Sequence, residues 1–196
     1  MTNYVSKLNL EIGSIKNIMK NFKTTIDGKD YWISRSCASV AIVFATEQID
    51  DKHYHLYVLA NKRGSGCPDY KGYWNMPCGF IDYDESGEMA ASRECFEETG
   101  IYIKPEKFTM VEVNTDHVNS NKQNISIRYL VVVNYDNIKD KISNAYNEDQ
   151  ETSEIKLIDS NDINNYKWAF NHNKIIKKYI REICNRMMFY IDLNGF

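Results

Sequence analysis

The segment GFIDYDESGEMAASRECFEETGI, residues 79–101, constrains this chain more than any other. From Glu85 to Thr99 it contains no proline, Ser86 or Asp84 can cap its start, and Gly100 supplies a stop. The segment therefore predicts a helix ending at Gly100. It also carries seven acids (Asp82, Asp84, Glu85, Glu88, Glu94, Glu97, Glu98) against Arg93 alone. That is a net −6 in a chain whose formal total is −3. Any fold of this chain has to set that charge against water or against cations.

On a helical wheel Met89, Ser92, Phe96 and Thr99 fall together with Cys95 at their edge, the stripe expected to face a core. Glu94, Glu97 and Glu98 stand at i, i+3 and i+4 on the opposite side, where Ala90 and Ala91 are expected to leave room for a ligand. Like charges at these spacings repel by roughly 0.2–0.5 kcal/mol per pair. A solvated acidic face satisfies this pattern, and so does an oxygen-ligand site for a hard divalent cation. Arg93 lies one turn before Glu97, and its planar guanidinium can orient a carboxylate.

The rest of the chain supplies a scaffold. Its 196 residues suit one domain with an extension, and 43% hydrophobic content is enough for a core. Ile12, Ile15, Ile18, Met19 and Phe22 predict an amphipathic helix over about 13–22, and Asp27-Gly28 a hairpin turn after it. Together residues 1–35 form an N-terminal extension expected to pack on the main domain, 36–196. Strands are expected at 36–45, 53–62, near GYWNMP, at 107–115, 124–135 and 154–159. Trp168, Phe170, Ile175, Ile176, Tyr179, Ile180 and Ile183 predict a terminal helix from Tyr166 to about Met187. The order is that of an α/β domain with a mixed β-sheet sandwiched between α-helices.

Several classes drop out. No run of eighteen apolar residues exists and the N-terminus has no continuous apolar core, so neither a membrane span nor a signal peptide is expected. The five cysteines are odd in number and form no CxxC pair, which argues against a zinc site or a disulfide framework and for a reduced, cytoplasmic setting. The mild acidity offers no basic field of the kind that nucleic-acid binders use.

Gly79, five residues, Glu85, seven residues, then Arg93-Glu94-Cys95-Phe96-Glu97-Glu98-Thr99-Gly100-Ile101 resembles the Nudix box. Every fixed polar and glycine position is present. Cys95 replaces the usual aliphatic residue, and Cys78 in MPCGF replaces a glycine common in the family. The resemblance implies the Nudix fold from about residue 36 to 187 and metal-dependent hydrolysis of a diphosphate bond in a nucleoside diphosphate-linked compound. It implies Mg²⁺ or Mn²⁺ held by the Gly79 carbonyl and by Glu94, Glu97 and Glu98, with Glu85 paired to Arg93. It further points to a late acidic residue, Glu151 or Glu154, as an added ligand or base, although a solvated loop explains those residues equally well. ADP-ribose-like compounds, nucleotide sugars and (d)NTPs all remain open as substrates. An RNA 5′-pyrophosphate or cap hydrolase and a non-catalytic nucleotide-sensing module are the alternatives. A sensing regulator usually carries a DNA-binding module after this domain, and only about ten residues follow the terminal helix here.

Outside the box, Arg63 is placed in sequence to clamp a phosphate, or to serve as an ordinary surface arginine. Trp32, Tyr70, Tyr73, Trp74, Trp168 and Phe170 offer rings for stacking on a base, with core packing the commoner use of aromatics; Trp74 and Phe170 lead for substrate contact. The four histidines have no ligand spacing. The N-terminal extension is expected to shape substrate choice or a homodimer contact.

Overall fold

The computed structural model describes residues 21–51, 53–116, 124–143 and 150–193. The helix expected over 13–22 lies outside them, apart from its last residue, Phe22, which opens a strand instead. The chain divides into two compact units, Met1–Ser36 and Cys37–Phe196. In the first, β1 (Phe22–Ile26) and β2 (Lys29–Ile33) form an antiparallel hairpin. Asp27 and Gly28 both take positive φ, 50° and 77°, as a two-residue turn of this hand requires.

The second unit is built on β3 (Cys37–Gln48), whose run of apolar residues is covered on both faces. Val40, Ile42 and Phe44 pack with Ile175, Ile176 and Tyr179 of α2 (His172–Leu193). Ala41, Val43 and Ala45, on the other face, pack with Ala91 and Cys95 of α1 (Gly87–Thr99). A strand buried on both sides reads as continuous hydrophobicity instead of alternation. The mixed sheet is thus sandwiched between two helices, as expected.

On one side β3 pairs in parallel with β8 (Ile125–Asn134), and β7 (Thr109–Asn114) follows antiparallel. On the other side β3 forks. From Phe44 onward it pairs with β4 (Tyr54–Arg63), while Ala38–Val40 pair with β6 (Cys78–Phe80). β4 carries β9 (Thr152–Asp159) along most of its length and the short β5 (Trp74–Asn75) beside Asn61 and Lys62. The box therefore starts in the fork.

The terminal helix starts later than expected, at His172 and not Tyr166. Phe170 and Asn171 have φ of 54° and 58°, which no right-handed helix admits. Upstream, Trp168 forms a backbone bridge with Trp74 and donates its Nε1–H to the Ile163 carbonyl at 2.8 Å. Among the described residues no helix is long and apolar enough to cross a membrane.

Candidate active site

The sequence fixes α1 at both ends. Ser86 caps its start by accepting the Met89 N–H at 3.3 Å. Gly100 ends it in the left-handed region, φ 74°, with its N–H donating to the Phe96 carbonyl at 2.7 Å. The helix is rotated from the expected stripe, however. Met89 is 48% exposed and Phe96 only half-buried, whereas Ala90, Ala91, Ser92, Cys95 and Thr99 are buried. The two alanines are packed into the core and are not an open approach. The small residues let α1 lie close to the sheet, which the larger Met89 and Phe96 would have prevented. As a result Glu94 and Glu98 are drawn inward, to 8% and 6% exposure, and Glu97 alone of the three is exposed.

Arg93 is the hub of the box. Its Nε and Nη2 donate to the two oxygens of Glu85 at 3.1 and 2.7 Å, and Nη2 also donates to the Phe80 carbonyl at 2.9 Å. Nη1 donates to Glu94 Oε1 at 2.6 Å and to Glu97 Oε2 at 3.0 Å. Glu85 additionally accepts the Asp82 N–H at 2.8 Å, closing the loop ahead of the helix. The Arg93 guanidinium holds Glu85 below the usual carboxylate range.

The inner carboxyls behave in the opposite way. Burial pushes Glu94 up to about 7 against the pull of Arg93. Burial also pushes Glu98 well above the usual range, the Glu94 charge adding to it, against the Cys78 N–H at 3.1 Å and the Arg63 charge, which favour its anion. Gly79 lies directly against Glu94, and a Cβ there would collide with that carboxylate. A glycine lets the Glu94 carboxylate lie there, and any larger residue would displace it.

This donor set fits a hard divalent cation. It consists of oxygens, it concentrates negative charge where water does not screen it, and its glycine cradle leaves no room for another side chain. In the arrangement seen, Arg93 engages Glu94 and Glu97 while Cys78 engages Glu98, and no three acidic, thiol or imidazole groups among the described residues converge on one point.

The late acids separate. The charge of Glu151 contributes to raising both Glu94 and Glu98, so it belongs to the same electrostatic cluster. Its backbone is pinned, the carbonyl accepting the Gly64 N–H at 2.6 Å and the Cys67 thiol at 3.1 Å. Glu154 pairs instead with Lys156 at 2.7 Å and Lys62 at 3.4 Å, which hold it below the usual carboxylate range. Glu148, Asp149 and His117 lie outside the described residues.

Arg63 is buried and bonds Asp69 twice, Nη2 to Oδ1 at 2.8 Å and Nε to the backbone carbonyl at 3.0 Å. Its guanidinium lies over the Phe170 ring at 5.0 Å. Its charge also acts on Glu98, so it adjoins the box while being anchored from behind. Trp74, at 5% exposure, belongs to the core and packs edge-on with Tyr166. It has no surface to offer a base, because β5 buries it against Trp168. Phe170 remains 37% exposed beside Tyr70, their centroids 4.9 Å apart. The pattern of the sequence missed His172, fully enclosed, whose Nδ1 accepts the Met76 N–H at 3.0 Å. It also missed Asn61 and Asn75, whose only signal was a polar side chain directly after an apolar residue, Ala60 and Trp74.

The family model of the NUDIX domain matches residues 29–179. The ADP-ribose pyrophosphatase of Methanocaldococcus jannaschii is 31% identical over 137 residues, 70% of this chain and 72% of that protein. Among solved structures, the NUDIX domain of Shewanella oneidensis NrtR complexed with ADP ribose superposes with a TM-score of 0.61 at 20% identity, covering 77% of this chain and 90% of that one. The bifunctional NMN adenylyltransferase/ADP ribose pyrophosphatase from Francisella tularensis gives 0.57 at 21% identity, over 92% of this chain and 46% of that one. The chain belongs to the Nudix family and is a pyrophosphohydrolase of the Nudix type.

Proposed function

We propose that the chain hydrolyses the diphosphate bond of a nucleoside diphosphate-linked compound, with ADP-ribose the first substrate to test. The observation that carries this reading is the inward pair Glu94 and Glu98, two buried carboxyls set against Gly79 and Cys78. Keeping such a pair ionised without a cation is costly, so the site is suited to one. The similarity to an ADP-ribose pyrophosphatase favours the ADP-ribose arm over nucleotide sugars and (d)NTPs.

Glu94, Glu97, Glu98 and the Gly79 carbonyl would hold Mg²⁺ or Mn²⁺, which when bound neutralises diphosphate charge and polarises phosphorus. Arg93 holds Glu94 and Glu97 in waiting and keeps the loop on the helix through Glu85. Glu151 accepts the proton of the attacking water, a role for which Glu154, tied to two lysines, is less suited. Phe170 and Tyr70 offer rings for the base, and Arg63, whose guanidinium lies over the Phe170 ring, supplies positive charge beside them. Five free thiols suit a reducing compartment such as the cytoplasm. Residues 1–35 shape substrate choice or a dimer contact, and a chain starting at Ser34 with an unchanged substrate profile and the same size in solution would refute that.

The deciding experiment incubates the full chain with Mg²⁺ and ADP-ribose, a nucleotide sugar or a dNTP, and scores nucleoside monophosphate. ADP-ribose should yield AMP and ribose 5-phosphate, and Glu98→Gln should remove the activity. No release from any compound with either metal would overturn the reading.

A further inference from the structure

Asn61 on β4 and Asn75 on β5 are cross-strand partners, so their side chains leave the sheet on one face. Leu59, two residues before Asn61, packs in the cluster with Ala91 and Cys95, which puts both amides on the side of α1. Both residues are completely buried. Asn75 Nδ2 donates to the Met76 carbonyl at 2.8 Å, which fixes the orientation of that amide, and reaches Cys78 Sγ at 3.6 Å. Asn61 Nδ2 donates to Thr152 Oγ1 at 3.0 Å. Each donor is used, yet neither Oδ1 has a hydrogen-bond partner among the described residues.

A buried acceptor without a donor carries the full cost of its lost hydration. Two of them on paired residues, Asn61 following the buried Val58, Leu59 and Ala60, mark a place where fold stability has been given up. Their neighbours say what for. Asn75 contacts Cys78, whose N–H is the hydrogen-bond donor to Glu98. Asn61 contacts Thr152, the residue after Glu151, whose charge acts on Glu94 and Glu98. Each amide is thus one residue removed from the acidic cluster, Asn75 through Cys78 and Asn61 through Thr152, and what the two Oδ1 atoms lack among the described residues is hydrogen-bond donors. A divalent cation of the Mg²⁺ type keeps several waters when bound, and those waters donate outward.

We propose that Asn61 and Asn75 are positioning residues whose Oδ1 atoms accept hydrogen bonds from the water shell of the cation held by the box. This rests on the metal reading above and extends it to two residues outside the family motif. Acceptors of this outer kind typically govern affinity by about 10–100-fold.

The test is Mn²⁺ binding to the full chain, followed by the electron paramagnetic resonance signal of free Mn²⁺, without substrate. Asn75→Leu and Asn61→Leu should each weaken binding by about tenfold or more, with metal-free melting temperatures within a few degrees of wild type. Should a leucine variant fail to fold, Asn61→Ser and Asn75→Ser, which draw the polar atom back from the site, are read against the same threshold. Variants that bind Mn²⁺ within twofold of wild type would overturn the proposal. So would variants that lose melting temperature but keep affinity, the mark of a merely structural role. Loss of binding in Glu98→Gln alone would then leave the metal site standing without the amides. A wild-type chain that binds no Mn²⁺ would sink the metal reading itself.

Discussion

Arg93 grips Glu85 with two nitrogens, Nε at 3.1 Å and Nη2 at 2.7 Å, joining the helix to the loop that opens the box. A lysine cannot reproduce that fork. Arg93→Lys should destabilise the fold by about 1–3 kcal/mol in chemical denaturation. Because Arg93 lowers the Glu85 value, the stabilisation is complete above the ordinary value of 4.5 and fades as pH falls through the lower folded value. The difference between wild type and Glu85→Gln should therefore shrink in acid. A pH-independent difference would deny the ion pair its role.

Glu94 has the opposite sign. Its folded value is raised by burial to about 7, so the folded chain holds a proton that the unfolded chain has lost. Metal-free stability should fall as pH climbs from about 4.5 through 7, and Glu98 acts in the same direction. Cation binding needs the ionised form, so affinity should weaken by up to about tenfold per pH unit below 7. Melting curves in chelator and Mn²⁺ titrations between pH 5 and 8 check both; flat profiles would contradict them.

Glu97→Gln and Glu98→Gln should each cut hydrolysis by at least about 10–100-fold at saturating metal. Their effects on the metal-free fold should differ. Glu98 is buried, and a neutral amide there avoids the cost of a desolvated charge, so Glu98→Gln should melt no lower than wild type at pH 8 in chelator. Glu97 is exposed and bonded to Arg93, so its removal should cost little.

Glu151→Gln should lower kcat by about 10²–10⁴-fold, the usual loss with a general base. Glu154→Gln should stay within about threefold, since Lys62 and Lys156 already occupy that carboxylate. Equal effects from the two, measured at saturating Mg²⁺, would undo the assignment.

Phe170→Ala should raise KM for the best substrate with little loss of stability. Trp74→Ala should instead destabilise the fold by about 3–5 kcal/mol, as expected for an aromatic removed from a core. Thermal denaturation beside steady-state kinetics separates the two outcomes.

The box was legible because its chemistry is tied to spacing: Gly79, Glu85, Arg93 and the three glutamates lie within one helix and its entry loop. The layered α/β order was legible too, from the apolar run in β3 and the alternation around it. The rotation of α1 was not. Apolar periodicity favoured Met89 and Phe96, whereas close packing on the sheet selected the smaller Ala91 and Cys95 and carried two glutamates inward. The start of α2 was misplaced because Trp168 and Phe170 fit a helical period while serving as a bridge to Trp74 and a cover for Arg63. The roles of Asn61, Asn75 and His172 depend on contacts between segments distant in sequence, the pairing of Asn61 with Asn75 and the Met76 N–H to His172 bond, and no local pattern records that.

The connection between β8 and β9 is fastened at both ends. Ser143 donates its N–H to the Thr99 carbonyl at the end of α1, and Gln150 and Glu151 accept from Gly66 and Gly64. Glu151 is thus presented by backbone bonds to the turn after β4, which a change of side chain on either partner does not remove. A lineage carrying this scaffold could therefore vary the side chains of that turn while the peptide groups that present Glu151 are inherited intact.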